Sequence, residues 1–199
     1  MLNIKDSLKS IPKPVRLFLG KALLFFVVWK LLYGFYFSHT KTLDYPLTKH
    51  VGEASTYLLN NFSPMSGFTV ERNVGTFYIG DELVEGGISS QIFHNGYLVL
   101  HIADNCNGLE LMILFIGFII CMPSSLKRKL LYIVLGILII DFVNILRCMG
   151  LIYLREYYHA YFDFAHHYLF KAVVYTCTFL IWMYFSRKIS FKNENLQIG

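Results

Sequence analysis

The sequence predicts an all-α membrane bundle of about four transmembrane helices, with a small outer β-hairpin and an amphipathic helix. Three observations predict it. Hydrophobic residues make up 55% of the 199 residues and charged residues only 16%, where a soluble domain carries about 25%. Four apolar runs, at 17–37, 107–122, 130–147 and 168–186, approach the roughly 20 helical residues that cross a bilayer core. Basic residues gather at the ends of these runs, and acidic residues gather between the first and second. With a mean hydropathy of +0.48, such a chain belongs in lipid.

Each element follows in order. Residues 1–16 carry Lys5, Lys9, Lys13 and Arg16 and read as a cytoplasmic segment. The run 17–37 lacks a small-residue cleavage site, so it reads as an anchor and not a removed leader. Lys21 and Lys30 lie within it and must snorkel or face the bundle. Residues 38–105 form an extracytoplasmic insert, with three basic residues (Lys41, Lys49, Arg72) against seven acidic ones (Asp44, Glu53, Glu71, Asp81, Glu82, Glu85, Asp104). Within it, Val51, Ala54, Tyr57, Leu58 and Phe62 share one helical face, as a helix lying on the membrane surface requires. From Phe68 the pattern turns strand-like. Asn95-Gly96 between two β-prone runs signals a type I′ hairpin, after which Leu98, Leu100 and Ile102 alternate with Tyr97, Val99 and His101.

Residues 106–186 form the transmembrane core and 187–199 a cytoplasmic tail. Lys127, Arg128 and Lys129 follow the second run, and Arg187, Lys188 and Lys192 follow the fourth. The positive-inside rule then puts both termini in the cytoplasm of a cell (inner) membrane. The net charge of +5 is spread over helix ends and marks topology, so no nucleic-acid partner is expected.

This topology brings distant residues to one outer level. Cys106 opens the second span, Arg147 closes the third, and His166 and His167 stand before the fourth. A thiolate is the nucleophilic form of cysteine, favoured by a helix N-terminus and a nearby cation. An imidazole can take the thiol proton and return it to a leaving amine. A guanidinium can hold the oxyanion of an attacked amide. Glu110 lies four residues after Cys106, and Asp141, Asn144 and Arg147 form a polar stripe at i, i+3, i+6; either acid can pair with Arg147 or orient a histidine. The other cysteines, Cys121, Cys148 and Cys177, make no CxxC pair or zinc spacing, and a Cys106–Cys148 disulfide stays open. Tyr153, Tyr157, Tyr158 and Tyr161 read as an interfacial aromatic belt. All seven histidines fall on the outer side, so a metal-handling membrane protein competes, although no pair has zincin spacing. A non-enzymatic envelope or export assembly protein also fits the outer hairpin and helix.

"NCNGLE" before a span, "NILR" at the end of the next, and a histidine before the last resemble the exosortase/archaeosortase family over residues 99–184. The resemblance implies a polytopic cysteine protease/transpeptidase that cuts C-terminal sorting signals just outside the membrane. Its partners would be exported proteins ending in a motif, a transmembrane helix and a basic tail, together with membrane lipid. Cys106 would be the nucleophile, with Asn105 and Gly108 in its motif; Arg147 matches with Asn144 as Asn-x-x-Arg. His166 is favoured over His167, about 100° away around a helix. No cofactor and no metal is implied.

Overall fold

The computed structural model describes residues 13–79 and 82–187, with the side chains of Pro14, 73–88 and Asn105 outside that description. Lys5, Lys9, Asp81, Lys188 and Lys192, with the expected terminal segments around them, lie outside it too. Helix α1 spans Lys13–Leu32 and continues through a π-helical turn, Tyr33–Phe37, and a last turn, Ser38–Thr40. Helix α2 covers Asp44–Phe62. Strands β1 (Phe68–Ile79), β2 (Glu82–His94) and β3 (Tyr97–Ile102) follow. A 3-10 turn, Asp104–Cys106, leads into α3 (Leu109–Cys121). Then come α4 (Leu126–Tyr157), α5 (His159–Phe164), a second π-helical turn (Ala165–Leu169) and α6 (Phe170–Ser186).

Helices α1, α3, α4 and α6 alternate in direction. Phe18 packs edge-on against Phe118 at 5.0 Å, while Lys30 near the far end of α1 pairs with Glu110 at the start of α3. Gly136 of α4 lies so close to α3 that an added Cβ would sit 2.1 Å from the Phe115 ring. Tyr132 packs on Phe185 at 4.9 Å, and Gly150 faces Phe170. Met112, Phe115, Ile119, Met122, Ile140 and Phe185 form the buried core between these helices. At its lower edge the Arg128 guanidinium donates to the Phe185 carbonyl (2.6 Å) and the Lys129 ammonium to the Ile120 carbonyl (2.8 Å). Both cations thus satisfy the open carbonyls of helix C-termini.

Among the described residues two stretches are long and apolar enough to cross a membrane, Leu126–Tyr157 and His159–Ser186. Helix α3 has 13 residues, too few to span alone, and α1 is punctuated by Lys13, Arg16, Lys21 and Lys30. Of the four expected spans, two therefore qualify by length and composition. Helix α4 also exceeds the expected 130–147. At 32 residues it is about 48 Å long, and the chain reverses only at Tyr158, with φ −137° and ψ 55°.

The extra length is explained by what packs on it. Cys148 and Ile152 of α4 join Val51, Leu59, Met65, Phe68, Ile92 and Ile102 in a second, outer core. The expected hairpin is part of a three-stranded antiparallel sheet in the order β1-β2-β3. The turn itself stands as read, with Asn95 at φ 50° and Gly96 at φ 83°, as type I′ requires. Helix α2 corrects the expected face. Its buried residues are Asp44, Thr48, Val51, Gly52, Ser55, Thr56 and Leu59, whereas Tyr57 and Phe62 are exposed. The polar and small residues point inward because the Cys106 turn, a polar segment, needs hydrogen-bonding partners there.

Candidate active site

Cys106 closes the 3-10 turn; its amide donates to the Ala103 carbonyl at 2.8 Å. Gly108, at φ 85°, then redirects the chain and caps α3. A left-handed residue here suits glycine. The thiol therefore lies in the turn before α3 and not on the helix, so Glu110 is not one turn below it on a common face. Glu110 pairs instead with Lys30.

The residues either side of the cysteine are held fast. Asn107 is buried; its side-chain amide donates to Asp44 Oδ1 (3.0 Å) and Thr48 Oγ1 (3.2 Å), and its Oδ1 accepts from the Leu109 amide (2.8 Å). The Thr48 hydroxyl donates to Asp104 Oδ1 (2.8 Å), and Asp104 also faces Lys41 (3.3 Å) and Arg72 (3.6 Å). The Tyr33 hydroxyl donates to Asp44 Oδ2 at 2.7 Å. The side chain of Asn105 lies outside the described residues.

Helix α4 supplies the other wall. Asn144 is buried and its amide donates to the Cys106 carbonyl at 3.2 Å. Its Oδ1 accepts from Arg147 Nη1 at 3.4 Å, while Arg147 Nη2 points at Cys106 Sγ from 3.8 Å. The three-residue spacing of Asn144 and Arg147 on one helix face is what lets a single element hold the cysteine's backbone and its sulfur together. Arg147 Nε is buried without a hydrogen-bond partner.

A family model described as transmembrane exosortase matches residues 14–184. The chain belongs to the transmembrane exosortase family. The match takes in α1 and the whole segment between α1 and α3, well beyond the 99–184 carried by the motifs. No curated protein and no solved structure matches the chain significantly.

In this exosortase the two histidines divide. Both sit in the π-helical turn of Ala165–Leu169, a distortion frequent at functional sites. His166 is half-buried, stacks on Phe162 at 5.7 Å and lies within electrostatic range of Arg147. His167 is exposed, and its Nδ1 bonds the Asp163 carbonyl at 2.9 Å. Among the described residues no hydrogen bond joins either ring to Cys106. Arg147 lies eleven residues before the reversal at Tyr158 and His166 eight after it, so the antiparallel return brings them to similar depth.

Asp141 does not reach Arg147. Its Oδ2 lies 2.9 Å from His50 Nε2 on α2, and its Oδ1 is buried without a hydrogen-bond partner. It thus meets a histidine, but one from the outer helix. The remaining histidines scatter, His94 pairing with Glu156 at 2.8 Å; among the described residues no three His, Cys, Asp or Glu side chains gather to hold a metal. All four cysteines are free. Sequence reasoning missed Asp44, Thr48 and Tyr33. Their one signal was the i, i+4 spacing of Asp44 and Thr48, which reads equally as a solvated face.

Proposed function

We propose that this exosortase is a membrane-embedded cysteine transpeptidase that cleaves C-terminal sorting signals of exported proteins at the outer interface. The reading is carried by the Arg147 guanidinium, 3.8 Å from Cys106 Sγ and with its buried Nε unpaired. Its charge favours the thiolate, and a guanidinium beside the sulfur suits the oxyanion that forms when sulfur attacks a carbonyl.

The Cys106 thiol gives its proton to His166, and sulfur bonds the scissile carbonyl carbon. The carbonyl electrons move to oxygen, where Arg147 holds the charge. As the tetrahedral intermediate collapses, the C–N bond breaks and the leaving amine takes the proton back from His166. The cargo remains as a thioester on Cys106. Water, an amine or a lipid hydroxyl then attacks it, and the thiol is restored. The absence of a direct Cys106–His166 hydrogen bond accords with apo sites, whose catalytic bonds often tighten on substrate binding.

The proposed placement is the cell (inner) membrane, with the sheet and α2 outside and both termini in the cytoplasm. It is supported by the clustering of Lys127, Arg128 and Lys129 at the end of the bundle opposite Cys106. The test is processing of an exported reporter whose tail has a motif, an apolar helix and basic residues. Cys106→Ala should leave it uncleaved with the enzyme still folded, and Arg147→Ala should slow cleavage about 100- to 1,000-fold. Normal processing by both variants overturns the reading.

A further inference from the structure

Thr48 stands at the one point where both flanks of the nucleophile turn meet. It is fully buried in α2, 56 residues from Asp104 in sequence. Its hydroxyl donates to Asp104 Oδ1 at 2.8 Å and accepts from Asn107 Nδ2 at 3.2 Å. Asp104 lies two residues before Cys106 and Asn107 one after it. A single oxygen atom therefore clamps the turn from both sides. The same residue is anchored from behind, since the Ser90 hydroxyl of β2 donates to the Thr48 carbonyl at 3.0 Å.

Opposite the clamp stands α4. Asn144 holds the Cys106 carbonyl and Arg147 faces its sulfur. The separation of Sγ from the guanidinium is thus set by two elements, α2 through Thr48 and α4 through Asn144. Loosening one side lets the turn drift from Arg147, and a shift of about 1 Å at a reacting group costs about 100-fold in rate.

We infer that Thr48 is a positioning residue for Cys106, acting through Asp104 and Asn107 to hold the sulfur against Arg147. The inference rests on the proposed role of Cys106 as nucleophile. Thr48 touches no reacting atom. Its hydroxyl, not its bulk, does the positioning: without it Asp104 keeps its ion pairs with Lys41 and Arg72 and Asn107 its bond to Asp44, but the atom that ties the two flanks together is gone.

The test compares Thr48→Val, which keeps the shape and loses the hydroxyl, with Thr48→Ser, which keeps the hydroxyl. Each is assayed on the full-length enzyme in detergent micelles, with a reporter peptide carrying a motif, helix and basic tail from the same genome. Thr48→Val should lower kcat about 10- to 100-fold with KM little changed, and Thr48→Ser should restore most of it. In an Arg147→Ala background Thr48→Val should cause little further loss, because both changes break one arrangement. Thr48→Ala repeats the test without steric risk. Wild-type kcat in Thr48→Val, or losses that multiply with Arg147→Ala, overturns the inference. So does loss of folded protein in both the Val and Ala variants beside a normal Ser variant, since Thr48 is then a folding residue. Cleavage by Cys106→Ala would instead strike the nucleophile reading itself, so the two failures are distinguishable.

Discussion

At the scale of single residues, the chemistry rests on how Arg147 divides its donors. Nη1 goes to Asn144, Nη2 faces the sulfur, and Nε is free. A lysine ammonium is a point charge and cannot reproduce that fork. Arg147→Lys should therefore remain at least 10-fold below wild type in cleavage rate, an estimate of about 1.4 kcal/mol in the barrier. Gly108 is the second sensitive point. Its φ of 85° and its contact with Asn144, 3.4 Å from an added Cβ, predict that Gly108→Ala costs about 1–2 kcal/mol, read as a lower unfolding temperature in micelles. The histidines separate by burial. His166→Ala should lose about 100-fold or more of the activity, whereas His167→Ala should keep most of it, measured on the same reporter. The cysteine, the arginine and its asparagine were legible because each sits in a short motif beside an apolar run. Thr48 and Asp44 were not, because a polar residue on an outer helix looks solvated until the fold shows what it covers. Nor could sequence spacing show that Glu110 and Asp141 go to Lys30 and His50, since Gly108 breaks the helix phase between Cys106 and Glu110.

At the scale of elements, α4 organises the molecule. Gly136, Ile140, Asn144, Cys148 and Ile152 recur every four residues and are buried or, for Cys148 and Asn144, buried against the site; Leu130, Val134, Leu138, Phe142 and Leu146 recur likewise and are exposed. One helix thus carries an inner stripe for packing and an outer stripe for lipid. Gly136 lets Phe115 approach, so Gly136→Val should destabilise the bundle by about 1–3 kcal/mol through overpacking, read by thermal unfolding in micelles. The β2-β3 turn was legible from Asn95-Gly96 alone, because few other pairs accept positive φ twice. The length of α4 was not, because Arg147 bounds the apolar run while the upper third of the helix is held by the sheet and α2. The inward polar face of α2 escaped because apolar periodicity marks Val51 but says nothing of Thr48, Ser55 and Thr56, which are buried beside it.

At the scale of the whole molecule, two cores stacked along α4 define the site between them. The inner core joins α3, α4 and α6; the outer core joins α2, the sheet and the top of α4, with Cys106 and Met149 packed at its margin. The Cys106 turn lies at their junction, with Cys106 itself packed against the outer core. The exposed stripe of α4 predicts membrane integration directly. Leu138→Arg should cost about 2.5–3.5 kcal/mol of insertion, seen as more protein extracted by alkaline carbonate, while the exposed outer residue Tyr97 should tolerate the same change. The account's central claim is that cargo passes through a covalent bond to Cys106. It is tested most directly by mass analysis of the Cys106 peptide after brief incubation with reporter. The account predicts an acyl adduct on that sulfur, removed by hydroxylamine and missing in Arg147→Ala at the same time point. Reporter cleavage with no adduct on Cys106, or with the adduct on another residue, would contradict it.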